Sequence, residues 1–382
     1  MKLLLVTTAN KLAEKLAVLS PELGYCAAVV DNVNSAKEIF AQVGLPQVPL
    51  YPMKTLKKRV ETLEYDYVLL VQDKFYSLGI IRKLQSCGLP TDKLISFAQL
   101  PGRGNWQTER PLRYHREHAQ DFEIFATGTS PTEKAIDIRQ FKRKAINFAT
   151  SSQDLYYNFQ IAKAVIKSAG DALRYALIGI APYSFHFDLS KTYVFKSRVL
   201  PYLIAFDDIH NLPVPFDTYK KFLRAEWLTK KPSIEKVNLN GVKSKRVMEE
   251  KAIVDGQTNT WNGKYYPATR DENIKILDDY LTLCEENNVR PIMMRVINSE
   301  KYMANFNKEL LDEFLVLVEQ ACQKHPSARF VDGWKLEGFT YNDFFDHGHM
   351  NVHGAAKFST YLNDFIEQLE SKDGEAQSNI IS

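Results

Sequence analysis

The strongest constraint on this chain is a strand-and-helix alternation that runs twice along it. Short β-branched or leucine-rich runs at 3–7, 25–30, 48–51, 67–71 and 94–97 are separated by helical apolar spacing near 11–19, 35–43, 53–63 and 78–87. Strands joined through helices need crossover connections, which are right-handed and give a mostly parallel sheet. A second series follows, with strands expected at 122–127, 145–148, 174–181, 290–296 and 328–331 and helices at 152–168, 271–286, 308–323 and 352–370. The near-continuous apolar run RYALIGIA at 174–181 suits a central parallel strand, covered on both faces.

The break between the two series is LPGRGNWQTERPLRYHREHAQ, rich in Pro, Gly, Arg and Gln and without apolar periodicity. The expected division is a small Rossmann-like α/β domain at 1–99, a linker at 100–120, and a second α/β domain at 121–370 interrupted by an insertion at 184–270. A polar, flexible tail is expected at 371–382. A chain of 382 residues exceeds the ~100 to 200 of a typical domain, which agrees with two.

Several functions are excluded at this level. The first strand-to-helix turn reads TTANKLAEK and has no glycine, so the close backbone approach that a GxGxxG turn gives a pyrophosphate is missing. No dinucleotide or other cofactor is expected. A net charge of +3 and a pI near 8.4 are too mild to argue for nucleic acid as a partner. Cys26, Cys87, Cys284 and Cys322 are far apart with no CxxC pair, and read as buried thiols in a reducing compartment rather than a disulfide framework or zinc site. The N-terminus lacks the apolar core of a signal peptide, and no apolar run approaches a membrane span. A cytoplasmic protein is expected.

The insertion carries local charge. From Lys220 to Lys251 there are ten Lys or Arg against four Glu, and Tyr219, Phe222, Leu223 and Trp227 fall at helical spacing. A basic segment with an aromatic stripe suits a lid over an anionic substrate or a contact with the inner face of a membrane. A solvated helix packing its stripe on the main domain explains the same pattern.

The chemistry concentrates in FFDHGHMNVHGAAK, just before the last helix, where Asp346, His347, His349, Asn351 and His353 crowd together. A carboxylate three residues before an imidazole is placed to hold Nδ1–H and leave Nε2 free to take a proton from a hydroxyl. The candidate hydroxyl is Ser130 in IFATGTSPTEKAID, where an apolar strand runs out into Gly128, Thr129 and Ser130 and Pro131 opens a helix. Ser130 is expected as the N-cap of that helix, and simple capping is its plain alternative role. Asn351 is a natural N-cap for the last helix, and Gly354 would let that helix start close to the sheet. A metal reading also stands: His347, His349 and His353 include an i, i+4 pair beside Asp346, although no HExxH-type cluster accompanies them.

The order GTS after the first strand of the second domain, NFATSSQD after its second, and DHGHMNVHGAAKF before its last helix resembles the SGNH hydrolase superfamily. Within it, 121–370 looks most like the bacterial branch that includes the D-alanyl transfer protein of teichoic acid operons and the alginate acetylation proteins. The resemblance implies a flavodoxin-like three-layer α/β domain with a parallel sheet. It also implies a triad in which Ser130 matches the nucleophile, Asp346 the acid and His349 the base. Two departures concern the oxyanion donors. Ser151 and Ser152 stand where the family commonly has a glycine, which costs little because only a backbone N–H is needed. GIAPYSF stands where many members have GxND, leaving Asn147, Tyr183 and Ser184 as substitutes for the missing amide.

The function expected is a serine esterase or O-acyltransferase working through an acyl-serine on a cell-surface glycan, its precursor or an acylated small molecule. A glycan-assembly or peripheral membrane partner is compatible with it. Two rivals remain: a non-catalytic glycan-binding or scaffold protein that keeps the fold, and a metal-dependent hydrolase.

Overall fold

The computed structural model describes residues 1–8, 24–71, 74–97, 108–192, 196–206, 210–211, 245–248 and 266–381. The chain forms two compact units, Met1–Glu109 with Leu189–Glu235, and Arg110–Asp188 with Lys236–Ser382. Both are mixed α/β structures built on a five-stranded, wholly parallel sheet.

In the first unit the strands are β1 (Lys2–Thr7), β2 (Gly24–Val30), β3 (Leu50–Pro52), β4 (Tyr67–Val71) and β5 (Leu94–Phe97). Their order is β3-β2-β1-β4-β5, the doubly wound Rossmann arrangement. Alternate side chains of each strand point to opposite layers, and both layers are covered. Leu3, Leu5, Ala28, Val30 and Leu69 pack with Ala36 and Phe40 of α1 (Val33–Gln42). Leu4, Val6, Val29, Val68 and Leu70 pack with Leu56 and Val60 of α2 (Leu56–Thr62) and Ile80, Ile81 and Leu84 of α3 (Lys74–Ser86). That double burial is why these strands read as unbroken apolar runs. β3 starts two residues later than the sequence suggests, just after Pro49, whose carbonyl accepts from Ala28 N–H at 2.9 Å. The helix expected at 11–19 and most of the glycine-free first turn lie outside the described residues.

The second unit has β6 (Ile124–Thr127), β7 (Ala145–Asn147), β8 (Tyr175–Gly179), β9 (Arg290–Arg295) and β10 (Arg329–Asp332). The order β10-β9-β8-β6-β7 is the flavodoxin-like one, and it reverses direction between β6 and β8. On one face lie α4 (Ser130–Ala135) and α9 (Val352–Ile381), with Ala135, Phe358, Leu362 and Ile366 in a common core with Ala126 and Leu177. α5 (Leu155–Ala169) and α6 (Arg270–Glu286) pack together elsewhere in the unit, Phe159 against Tyr280 at 6.0 Å between centroids. α7 (Glu300–Ala304) and α8 (Lys308–Lys324) connect β9 to β10.

Three expectations change. The stretch expected as a linker at 100–120 holds a helix, Glu109–Glu117, with Leu112 and His115 buried. The tail does not fray at Ser371, because α9 continues to Ile381. Glu, Lys, Ala and Gln there favour a helix, and the single Gly374 costs only about 1 kcal/mol. The stretch expected as an insertion in the second domain contributes Leu203 to the core of the first unit. The stripe Tyr219, Phe222, Leu223 and Trp227 lies outside the described residues, as does most of the basic segment. All four cysteines are free thiols, with only Cys284 fully buried. Among the described residues no helix is long and apolar enough to cross a membrane.

Candidate active site

The crevice at the carboxyl ends of the strands, where sheet order reverses, is the usual ligand position in an open α/β sheet. Here it receives α4. β6 ends at Thr127, and Gly128 follows with φ of +151°, a value that L side chains rarely adopt. A Cβ on either Gly128 or Gly179 would lie 2.7 Å from Thr132 Cβ. The two glycines therefore form a cradle for Thr132, seating the first turn of α4 on the ends of β6 and β8.

Ser130 is the first residue of α4, and the N-cap is Thr129 rather than Ser130. The difference matters, since a capping hydroxyl would be tied to the backbone of its own helix. Ser130 Oγ instead lies 2.8 Å from His349 Nε2. His349 is presented by a short antiparallel hairpin, β11 (Phe344–Asp346) and β12 (His349–Met350), in which Asp346 pairs with His349. His349 Nδ1 lies 2.8 and 3.0 Å from the two Asp346 oxygens. An ionised carboxylate only accepts, so Nδ1 carries the proton and Nε2 faces the serine as an acceptor.

The hairpin is held from several sides. Gly348 N–H donates to Asp346 Oδ1 at 2.8 Å, and the Phe345 ring stacks on the imidazole at 5.3 Å. Ser299 N–H donates to the His347 carbonyl at 3.1 Å, and Ser299 Oγ lies 2.8 Å from His347 Nδ1. Asn298 Nδ2 donates to the Gly348 carbonyl at 3.0 Å. Burial alone would raise the Asp346 carboxyl. The His349 hydrogen bond, the attraction of the imidazole and the amides of Gly348 and His349 outweigh it, so the pKa lies below the ordinary value. Asn351 caps α9, accepting from His353 and Gly354 N–H at 2.9 and 3.2 Å. The close approach allowed by Gly354 is to Asp343 rather than to the sheet.

The five proposed oxyanion or substrate contacts fare differently. The Thr150 N–H donates to the Gly128 carbonyl at 3.1 Å, tying the loop after β7 to the Ser130 turn. Within that loop Ser152 has φ of +64°, the left-handed conformation that glycine adopts most easily. Ser151 Oγ donates to Glu133 at 3.2 Å. Asn147 does not provide a free amide: Nδ2 donates to the Glu133 and Ile136 carbonyls and Oδ1 accepts from Ala149 N–H. Ser184 Oγ accepts from Ala181 N–H at 2.9 Å, inside its own turn. Tyr183 is buried, and burial pushes its hydroxyl up to about 12. It lines a cavity of about 20 Å³ with Thr129, Pro131, Thr132, Arg295, Asn298 and Tyr302.

The metal reading gains no support, because among the described residues no three ligating groups gather around His347, His349 and His353. His349 has both ring nitrogens engaged, and His353 is exposed. Sequence reasoning missed Asn298, Ser299 and Arg295. Only Arg295 left a trace there, a lone charge inside the apolar run PIMMRVI.

No family model matches the chain, and no curated protein matches it. Among solved structures it is similar to one from Streptococcus pneumonia, described only provisionally as a platelet activating factor. Identity is 10%, the TM-score is 0.38, and the match covers 68% of this chain and 92% of the other. A likeness that weak carries no argument about this chain.

Proposed function

We propose that the second unit is a serine esterase or O-acyltransferase that forms an acyl-enzyme on Ser130. The observation that carries this reading is the pair of 2.8 Å contacts in series, Asp346 to His349 and His349 to Ser130. His349 Nε2 takes the hydroxyl proton as Oγ attacks an acyl carbon. It then gives that proton to the departing alkoxide, leaving the acyl group on Ser130. In the second half Nε2 deprotonates water or an acceptor hydroxyl, which attacks the acyl carbon, and the proton passes from Nε2 to Ser130 Oγ as the acyl–oxygen bond breaks. Asp346 holds the tautomer and balances the imidazolium that forms in each half.

The motifs GTS and DHGHMNVHGAAKF support an SGNH-type enzyme, and the branch they resemble supports an O-acylated glycan or glycan precursor as substrate. The four free thiols support a reducing, cytoplasmic setting, and the branch resembled supports a glycan-assembly partner. Hydrolysis of an activated acetate ester, with intact-mass detection of the acyl adduct, tests the chemistry. The expected result is an acetyl adduct on wild type that is missing from Ser130→Ala. A folded wild type that gives neither turnover nor adduct favours the rival reading, a glycan-binding protein on the same fold.

A further inference from the structure

A serine acyl-enzyme needs donors for the oxyanion, and the loop after β8 supplies no side-chain amide: it reads Ile180, Ala181, Pro182, Tyr183. The cavity that this loop lines with Thr129 and Pro131, the two neighbours of Ser130, also receives Arg295. Arg295 is 4% exposed. Its Nε and Nη2 donate to Asp332 Oδ1 and Oδ2 at 2.8 and 2.7 Å, and its guanidinium lies 4.2 Å from the Trp334 ring centroid. Nη1 is buried and, among the described residues, has no hydrogen-bond partner. A buried donor left unmatched in a well-packed site asks for a ligand.

We propose that Arg295 Nη1 is the side-chain donor to the oxyanion formed when Ser130 is acylated, in place of the amide that the neighbouring loop lacks. The inference rests on the nucleophile reading above. Three observations support it. The bidentate carboxylate neutralises the guanidinium, so Nη1 offers its two N–H groups in the way a side-chain amide would, without placing a net positive charge in the crevice. The cavity has room for about one oxygen-sized group, which suits an oxyanion better than an acyl chain. The donor is also fixed to the base: Trp334 Nε1 donates to Asn298 Oδ1 at 3.0 Å, and Asn298 Nδ2 donates to Gly348, next to His349. Asp332 and Trp334 are positioning residues in this scheme.

The test is the second-order rate at which a small fluorophosphonate, whose phosphoryl oxygen needs the same donors, modifies Ser130. Arg295→Lys keeps a cation for Asp332 and removes the separate Nη1 donor, so labelling should slow by about a hundredfold. Arg295→Ala should recover part of its rate with added guanidinium but not with ammonium. Because Arg295→Ala leaves Asp332 buried and unpaired, Arg295→Met with Asp332→Leu gives a neutral background, which should be as slow as the lysine variant. Wild-type rates in folded Arg295→Lys and in the double variant would overturn the inference and leave the nucleophile reading intact. A folded wild type that is not labelled at all would overturn both.

Discussion

His349 Nε2 and Ser130 Oγ lie 2.8 Å apart although 219 positions separate them in the sequence. Neither residue is placed by its neighbours alone. Ser130 depends on the two-glycine seat at the ends of β6 and β8, and His349 on a hairpin held by Asn298 and Ser299 at the end of β9. Activity should therefore respond to changes in the sheet as well as in the triad.

Asp346→Asn should preserve the fold and remove most turnover. The amide donates where the carboxylate accepts, which favours the Nε2–H tautomer and leaves Ser130 facing a donor. Steady-state hydrolysis of an activated ester should fall by roughly a thousandfold or more, with little change in thermal melting. Retention of more than a tenth of the activity would show that Asp346 does not orient His349.

Gly179→Ala tests the seat of α4. The new Cβ would sit 2.7 Å from Thr132 Cβ, and overpacking of this kind costs about 1 to 3 kcal/mol. Urea denaturation should report a loss of that order, and adding Thr132→Gly should relieve the crowding. An unchanged urea midpoint in the single variant would contradict the close packing described here.

Acid should destabilise the second unit partly through His115, in the helix Glu109–Glu117. Its ring is wholly buried, Nδ1 lies 3.0 Å from Ser168 Oγ, and among the described residues Nε2 has no partner. Burial, with a smaller contribution from Arg116, lowers its pKa from 6.5 to about 4. The unfolded chain therefore binds the extra proton first. Stability contributed by the neutral ring is complete above pH 6.5 and is lost as pH falls toward 4, by roughly 2 to 3 kcal/mol. Urea midpoints against pH should show that slope in wild type and a shallower one in His115→Phe.

His325 works in the opposite direction. Its Nδ1 lies 2.8 Å from Glu285 and its Nε2 2.9 Å from Asp278. Burial opposes the charged ring, but the two carboxylates outweigh it and raise the pKa. This contribution is complete below pH 6.5 and lost as pH rises through the folded value. His325→Asn should flatten the alkaline side of the same stability curve and leave the His115 slope unchanged. A parallel shift of the whole curve would contradict the assignment.

Most of the architecture was legible in the sequence because strands covered on both faces, such as Val68–Leu70 and Tyr175–Ile178, leave unbroken apolar runs. The clustering of Asp346 and His349 was legible for a local reason, since a turn of three residues suffices to bring carboxylate and imidazole together. The rest depended on distant contacts. Asn147 reads as a free amide until the carbonyls of Glu133 and Ile136 are seen to occupy it. Ser130 reads as a cap until Thr129 takes that place, and the significance of Arg295 depends on Asp332 lying one strand away.

The most direct test of the account is intact-mass labelling with a fluorophosphonate, with the modified residue identified by peptide mapping. One adduct per wild-type chain is expected, located on Ser130, with none on Ser130→Ala and labelling at least a hundredfold slower on His349→Ala. An adduct at another residue, or wild-type labelling that is indifferent to His349, would contradict it.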